Sequence, residues 1–324
     1  PTDCIPVEDR FVDSTSNRRS RLWTTSLWAF ACGVFAWALP AMAQTGETFE
    51  ETTPWIPRQF STEGHHIDLL FNWIMWITSI TGVGVFGAMI YFLIKYRHRP
   101  GRSAKFNHGN TKLELAWTII PTLILAGTAA VSQATWAKMK SIDRMPVATP
   151  GSDDVLHINV IGRQFEWYFW YPGKDGVFGE RETALIDPKS SDPYVQIGLR
   201  QEGAGQDDVL VMSALYIPVN KKIRFDVTSV DVIHSFFIPS MRVKQDTVPG
   251  LVTPVWFEAT KMSKQVMGVD ATGRGKPFDI VCAELCGQGH YTMKGELYVV
   301  SEAEYKENIE DVLHEGMILA MLGE

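Results

Sequence analysis

The sequence predicts a membrane-anchored protein in which a two-helix transmembrane hairpin precedes an all-β domain of the Greek-key type. Three observations support this fold class. Two uncharged apolar runs lie in the first half of the chain, a basic connection separates them, and short apolar runs divided by Gly, Pro and Asp turns follow from about residue 146. The 324 residues, 45% of them hydrophobic, suit one or two folded domains rather than a disordered chain.

The N-terminal part of the chain has the pattern of a secretory signal peptide. A basic cluster at residues 18–21 precedes an apolar run over residues 22–39, and Ala41-Met42-Ala43 supplies the small residues of a cleavage site. We therefore predict a leader with a signal peptide over residues 1–43 and a periplasmic segment over residues 44–68. The alternative is an uncleaved third membrane anchor, because the apolar run is long for a signal peptide.

Two further apolar runs are long enough to cross a bilayer. Residues 69–94 and 115–137 contain no charged residue, and about 20 helical residues span a hydrocarbon core of about 30 Å. The connection between them has Glu114 as its only acid and carries six cationic residues, which are Lys95, Arg97, Arg99, Arg102, Lys105 and Lys112. The positive-inside rule places this connection in the cytoplasm. We predict a hairpin over residues 69–140 with both outer ends in the periplasm.

The second half of the chain has the pattern of an all-β domain, which we place at residues 146–301. Strands are predicted over six segments, residues 155–161, 209–213, 222–228, 253–259, 278–282 and 296–300. Short strands at this spacing are typical of a Greek-key β-sandwich or barrel. Residues 302–324 are strongly acidic and have helical periodicity up to about residue 322, which predicts an acidic C-terminal helix.

Charge is unevenly distributed along the chain. Residues 1–150 carry 14 basic against 11 acidic side chains, a net charge of +3, and residues 151–324 carry 16 against 26, a net charge of −10. The acidic half should attract basic partners and repel nucleic acid. Nucleic-acid binding is therefore excluded from the expected functions.

The most informative segment combines two thiols, an imidazole and a thioether within twelve residues. Cys282, Cys286, His290 and Met293 follow a Cys-x3-Cys-x3-His-x2-Met pattern. Soft sulfur ligands together with imidazole indicate an electron-transfer copper site. Two thiols are too few for a Cys-only iron–sulfur cluster, and the other two cysteines of the chain lie in the predicted leader.

Each of these residues has a structural alternative when it is taken singly. A cysteine pair in an exported protein is commonly a disulfide, and Met293 alone would be core filler. His234, which lies 48 residues before Cys282 beside an apolar aromatic run, would alone more often be a buried core histidine. Only the combination of these residues points to a metal.

Together, residues 231–239 and residues 282–293 resemble the binuclear copper (CuA) domain of cytochrome c oxidase subunit II. The resemblance implies a cupredoxin-like barrel and two coppers bridged by the two cysteine sulfurs. The implied ligands are His234, Cys282, the backbone carbonyl of Glu284, Cys286, His290 and Met293.

The resemblance also implies a function and partners. The chain is expected to be subunit II of a haem-copper oxidase in a bacterial inner membrane, with its copper domain in the periplasm. In such an oxidase, subunit II accepts electrons from cytochrome c and passes them to haem in subunit I, where O2 is reduced to water. Subunits I and III and cytochrome c are the implied partners, and haem is expected on subunit I only.

Two carboxylates acquire implied roles from the same resemblance. The side chain of Glu284 would bind Mg or Mn at the contact with subunit I, and a carboxylate oxygen suits such a hard cation. Its alternative is a solvent-facing loop acid. Glu114 matches the glutamate at the entrance of the K pathway for proton uptake, and its alternative is a helix anchor without a role in proton movement.

An aromatic segment, Phe165-Glu166-Trp167-Tyr168-Phe169-Trp170-Tyr171, corresponds to the segment that lies over copper in this family. Phe165 stands where the family has the Trp that first receives electrons from cytochrome c, and Trp167 matches a second Trp. Strand side chains alternate, so Phe165 and Trp167 should share one face and Tyr168 and Trp170 the other. We expect Trp170 or Tyr168 to be the exposed aromatic group that receives electrons. The alternative is an aromatic core strand.

A membrane-anchored copper chaperone or thiol reductase of the Sco type is the alternative function, since it also has a Cys-x3-Cys pair and a distant His. Such proteins have one span, a thioredoxin-like βαβ pattern and Pro after the first Cys, whereas this chain has two predicted spans and Ala283. Nitrous oxide reductase shares the copper motif, but it is soluble and has a large His-rich domain. Only eight His occur here.

Overall fold

The computed structural model describes residues 56–103, 106, 108–149, 153–271 and 273–307. The predicted leader, the first part of the segment at 44–68, and the tail after residue 307 lie outside these residues. Within the described ranges the chain forms two compact units. The first contains residues 86–131, and the second contains residues 56–85 and 132–307.

Two long helices, α1 (Gly64–Lys95) and α2 (Thr111–Lys140), contain the predicted membrane spans and extend them at both ends. Their most apolar 18-residue windows have mean hydropathies of 1.9 and 1.7, so both helices are long and apolar enough to cross a membrane. The start of α2 is fixed by Asn110, whose side chain accepts hydrogen bonds from the backbone N–H groups of Lys112 and Leu113 at 3.1 and 3.3 Å.

The C-terminal part of the second unit is a sandwich of two five-stranded sheets. Its strands are β1 (Val155–Arg163), β2 (Glu166–Tyr171), β3 (Val209–Met212), β4 (Ala214–Pro218), β5 (Lys222–Ser229), β6 (His234–Ile238), β7 (Val243–Thr247), β8 (Thr253–Glu258), β9 (Phe278–Cys282) and β10 (Lys294–Val300). All six predicted strands are present, with ends shifted by at most two residues. Residues 302–307 are helical, and the rest of the predicted C-terminal helix lies outside the described residues.

The strand order is β3-β2-β1-β5-β8 in the first sheet and β4-β10-β9-β6-β7 in the second. β1 pairs with β5 and β4 with β10 in parallel, and the other pairs are antiparallel. This mixed sandwich confirms the predicted all-β, cupredoxin-like class. A thioredoxin-like βαβ unit is absent from its described residues, where the α-helices α3 (Pro193–Ile197) and α4 (Ser263–Val266) are short.

The core lies between the two sheets and is built from the inward side chains of both. Phe225 stacks on Phe257 with ring centroids 5.3 Å apart, and Phe236 lies 5.7 Å from Phe225. Burying large aromatic groups in this way supplies much of the stability of a sandwich. Because β6 and β9 are central strands of the second sheet, His234 and Cys282 at their ends are attached to the most rigid part of the domain.

The start of α1 is attached to the sandwich by an ion pair. Arg242 follows the short 3-10 turn Pro239–Met241 and has φ +57°, a left-handed conformation. Its guanidinium donates to both oxygens of Asp68, at 2.6 and 3.1 Å, and to the carbonyl of Pro57 at 2.6 Å. Bidentate Arg–carboxylate pairs fix geometry as well as adding stability. The start of α1 is therefore attached directly to the turn that follows β6.

Candidate metal centre

Loops at one end of the sandwich bring the residues of the Cys-x3-Cys-x3-His-x2-Met motif to His234. One ligand atom from each of His234, Cys282 and Cys286 lies within 4.8 Å of the others. The two sulfurs are 3.8 Å apart. This distance is far beyond the ~2.05 Å of a disulfide bond, and both cysteines are free. The disulfide alternative is therefore wrong for this structure.

The remaining predicted ligands surround the same two sulfurs. His290 Nδ1 is 3.6 Å and Met293 Sδ is 3.8 Å from Cys286 Sγ. The backbone carbonyl oxygen of Glu284 is 3.2 Å from Cys282 Sγ. All six groups that the sequence singled out are thus brought together: two thiols, two imidazoles, a thioether and a carbonyl.

The centre is shielded from water. His234 is fully buried, and Cys282, Cys286 and Met293 are 8%, 4% and 1% exposed. The Nε2 atom of His234 lies 2.8 Å from Asp231 Oδ1, while its Nδ1 atom faces Cys282 Sγ at 4.0 Å. A carboxylate that accepts from one ring nitrogen leaves the other free to bind a metal. Asp231 therefore orients the His234 ring.

The same contacts set the pKa values of the centre. Burial would lower the pKa of His234, but the hydrogen bond with Asp231 and the nearby Cys282 raise it to about 9. Burial would raise the pKa of Cys282, but hydrogen bonds from His234 and the Ser235 backbone lower it to about 6. Burial and the neighbouring Cys282 thiolate raise the pKa of Cys286 to about 11. Metal binding at this centre therefore competes with protons, because the ligands must be deprotonated.

The turn between β1 and β2 covers the loop that carries Cys286 and His290. The side-chain amide of Gln164 donates to the carbonyl of Cys286, and its backbone N–H donates to Asp231 Oδ2 at 2.8 Å. Sequence analysis missed Gln164. No local pattern marks it, because both contacts are to residues far along the chain.

Two glycines make room for this turn. A Cβ on Gly289 would lie 2.5 Å from the Phe165 ring, and one on Gly287, which has φ +139°, would lie 2.8 Å from Gln164 Nε2. Either position would clash with any other residue unless the turn moved. Both positions thus favour glycine because the turn between β1 and β2 approaches them closely.

The aromatic segment alternates as predicted, but its expected exposure is wrong. Trp167 faces the core, with its ring centroid 6.1 Å from that of His234. Tyr168 and Trp170 face the other side of the sheet, yet they are 0% and 5% exposed. The segment between β2 and β3 covers them, as Trp170 donates to Asp208 at 2.7 Å and contacts the Phe178 ring. Phe165, in the turn, is only half-buried.

The two carboxylates with implied roles lie outside the cluster of soft ligands. The side chain of Glu284 is exposed on the metal loop. Glu114 lies in the first turn of α2, in the other compact unit, where its backbone carbonyl accepts from Thr118 at 2.9 Å. Among the described residues, the only group of His, Cys, Asp or Glu side chains spaced to hold a metal is His234, Cys282 and Cys286.

Comparison with known proteins agrees with the copper motif. Residues 156–300 match the family model for the periplasmic domain of cytochrome c oxidase subunit II, and residues 55–134 match the model for its transmembrane domain. The two helices that are long and apolar enough to cross a membrane overlap the second match. The chain is thus a membrane protein with a separate C-terminal domain.

Individual relatives cover most of the chain. The alternative cytochrome c oxidase subunit 2 of Bradyrhizobium diazoefficiens is 33% identical over 260 residues, which are 79% of this chain and 84% of that protein. Cytochrome c oxidase subunit 2 of Cereibacter sphaeroides is 31% identical over 240 residues, 71% of each chain. The solved periplasmic domain of subunit II of cytochrome oxidase from Bradyrhizobium japonicum is 28% identical, covers 52% of this chain and 99% of that chain, and has a TM-score of 0.33. The chain therefore belongs to the cytochrome c oxidase subunit II family.

Proposed function

We propose that this chain holds a binuclear copper centre through which a haem-copper oxidase receives electrons from cytochrome c. The observation that carries the proposal is the convergence of His234, Cys282 and Cys286 with His290 and Met293 in one site, in which all but the half-buried His290 are buried. The donor set fits copper, because thiolates, imidazoles and a thioether are the ligands of electron-transfer copper sites. Copper held by these residues and by the Glu284 carbonyl would supply one-electron redox chemistry, and the fixed ligands would keep the structural change between oxidation states small.

The protein residues hold the ligands in place whichever state is present. Asp231 orients the His234 ring, and the central strands β6 and β9 fix the positions of His234 and Cys282. Burial excludes water from the two sulfurs. Groups outside the ligand set orient the ligands and tune the site. Ligands that are fixed in this way and shielded from water move little when an electron is transferred.

The proposed function is tested by the metal content and spectrum of the purified full-length chain in detergent with added copper. We expect two coppers per chain and the electron paramagnetic resonance (EPR) and visible spectra of a delocalised mixed-valence pair. A chain that binds a single zinc, or one copper with an ordinary mononuclear spectrum, would contradict the assignment.

The membrane orientation follows from charge. The connection between α1 and α2 is basic, which favours the cytoplasmic side and would leave the β-domain in the periplasm. The net charge of −10 over residues 151–324 is complementary to a basic donor such as a cationic cytochrome c. Subunit I, which would carry the haem, and subunit III are the proposed membrane partners.

Glu284 is proposed to serve two sites at once. Its backbone carbonyl oxygen is 3.2 Å from Cys282 Sγ, while its side chain is exposed. A carboxylate oxygen suits Mg or Mn. An exposed acid on the metal loop is positioned to share such an ion with subunit I.

Glu114 is proposed to admit protons to the oxidase from the cytoplasmic side. Glu114→Gln in the assembled oxidase is expected to slow turnover and proton uptake, because an amide neither releases nor accepts a proton at neutral pH. The copper spectrum should stay unchanged, since Glu114 lies in a different compact unit from the copper ligands. Stopped-flow proton uptake and steady-state oxygen consumption measure the effect, with Thr118→Ser as a nearby control. Full turnover in an assembled Gln variant would leave Glu114 as a helix anchor.

A further inference from the structure

The turn between β1 and β2 lies against both loops that carry copper ligands. It consists of Gln164 and Phe165, flanked by the paired residues Arg163 and Glu166. The turn contacts one loop through the carboxylate of Asp231 and the other through the backbone of Cys286.

Gln164 joins these two loops through one residue. Its backbone N–H donates to Asp231 Oδ2 at 2.8 Å, and the other oxygen of the same carboxylate is 2.8 Å from His234 Nε2. Its side-chain amide donates to the carbonyl of Cys286. A continuous series of hydrogen bonds therefore runs from the imidazole of His234, through Asp231 and Gln164, to the backbone of Cys286.

The turn itself is held in place from its outer side. The Arg163 guanidinium donates to Glu166 Oε1 at 2.7 Å, to the Tyr168 hydroxyl at 3.1 Å and to the Pro188 carbonyl at 3.0 Å. It also donates to Gln196 Oε1 at 2.5 Å, and only 18% of its side chain is exposed. Four partners on one guanidinium limit the movement of the turn.

The inner side of the turn is shaped to admit Gln164. The conformation of Gly287 at φ +139° and its lack of a Cβ leave space for the amide, since a Cβ there would lie 2.8 Å from Gln164 Nε2. The amide donor, its carbonyl acceptor and the gap at Gly287 match one another. A turn whose only role was to reverse the chain would require none of the three.

We infer that Gln164 is a positioning residue for the copper centre, which fixes the Cys286 loop relative to His234. The inference rests on the proposed copper-binding function and adds a residue to it. Gln164 is not a ligand; it acts through the Asp231 carboxylate and the Cys286 backbone. Groups that orient metal ligands typically change metal affinity about 10–100-fold when they are lost. We expect loss of the Gln164 amide to lower copper affinity by a factor of this size and to change the electronic coupling within the copper centre.

Gln164→Leu tests the inference, because leucine keeps the approximate volume and the backbone N–H but removes the amide donor. Gln288→Leu is the matched control, since Gln288, which is exposed like Gln164, lies on the loop that carries Cys286 and His290. The full-length chain in detergent is loaded with copper, and its EPR hyperfine pattern, reduction potential and copper loss to a chelator are measured. We expect Gln164→Leu to lose copper about 10–100-fold more readily and to shift both the hyperfine pattern and the potential. Gln288→Leu should match the parent.

The outcomes separate this inference from the proposed function. A parent chain without the binuclear spectrum overturns both. A parent with that spectrum and a Gln164→Leu variant with the same hyperfine pattern, potential and copper retention overturns the role of Gln164 alone. If the leucine variant loses its near-ultraviolet circular dichroism, Gln164→Glu decides by the same three measurements, because a carboxylate keeps the size and solubility of glutamine but cannot donate to the Cys286 carbonyl.

Discussion

Cys282→Ser is expected to abolish the mixed-valence copper spectrum of the full-length chain. Cys282 Sγ lies 3.8 Å from Cys286 Sγ and faces both His234 Nδ1 and the Glu284 carbonyl. A serine hydroxyl is a hard, weakly acidic ligand that does not replace a thiolate on copper. The metal content should fall from two coppers to one or none, as measured by elemental analysis and EPR. Cys286→Ser should have the same effect.

A matched control is available within the chain. Leu285→Ser introduces the same hydroxyl between the two cysteines, at a side chain that is 79% exposed and lies outside the ligand set. It should leave the copper content and spectrum of the chain unchanged. Retention of two coppers and a delocalised spectrum in Cys282→Ser would remove Cys282 from the ligand set.

Phe165→Leu is expected to slow reduction of the copper centre by cytochrome c at least about tenfold, equivalent to ~1.4 kcal/mol in activation free energy. Phe165 is half-buried, whereas the other aromatic side chains of its segment, from Trp167 to Tyr171, are at most 5% exposed. Its ring lies against Gly287 and Gly289, the neighbours of Cys286 and His290 in the metal loop. Phe165 thus replaces Trp170 and Tyr168 as the proposed electron-entry residue. Stopped-flow reduction by cytochrome c measures the rate.

Two variants test whether the effect is specific to Phe165. Trp170→Leu should react at the parent rate, because Trp170 lies on the outer face of β2 under Phe178. Tyr291→Leu removes a 77% exposed aromatic ring next to His290, and it too should react at the parent rate. The copper spectrum and the affinity for the donor serve as controls. If cytochrome c reduced the copper centre slowly in Tyr291→Leu but at the parent rate in Phe165→Leu, Tyr291 would be the electron-entry residue.

The parts of this protein that sequence predicted correctly are those with a strong local signal. Long uncharged runs marked α1 and α2, and four ligands within twelve residues marked the metal loop. The strands that were missed lack such a signal. β7 (Val243–Thr247) is largely polar because it is an edge strand, and β4 (Ala214–Pro218) is the opposite edge of the same sheet. β6 was interpreted only as a ligand loop because His234 begins it.

The errors and omissions at the site arise from contacts between distant parts of the chain. Alternation along β2 correctly separated Trp167 from Tyr168 and Trp170, but it gave no information on what covers the outer face. The cover comes from residues beyond β2, such as Phe178 and Asp208. Gln164 escaped notice for the same reason, since its partners are Asp231 and Cys286. Such contacts depend on the fold, so a single sequence does not reveal them.

The ion pair between Arg242 and Asp68 gives β6 a second role, as a spacer of fixed length. His234 begins this strand, and the turn that ends in Arg242 follows it, so the strand runs between a copper ligand and the residue attached to the start of α1. Five strand residues cover about 16 Å at ~3.3 Å per residue. The separation between His234 and the turn that is attached to α1 is therefore set by a hydrogen-bonded strand rather than by a flexible linker. A soluble fragment that begins after α2 lacks Asp68 and leaves the Arg242 side chain, which is 9% exposed in the intact chain, without its carboxylate partner.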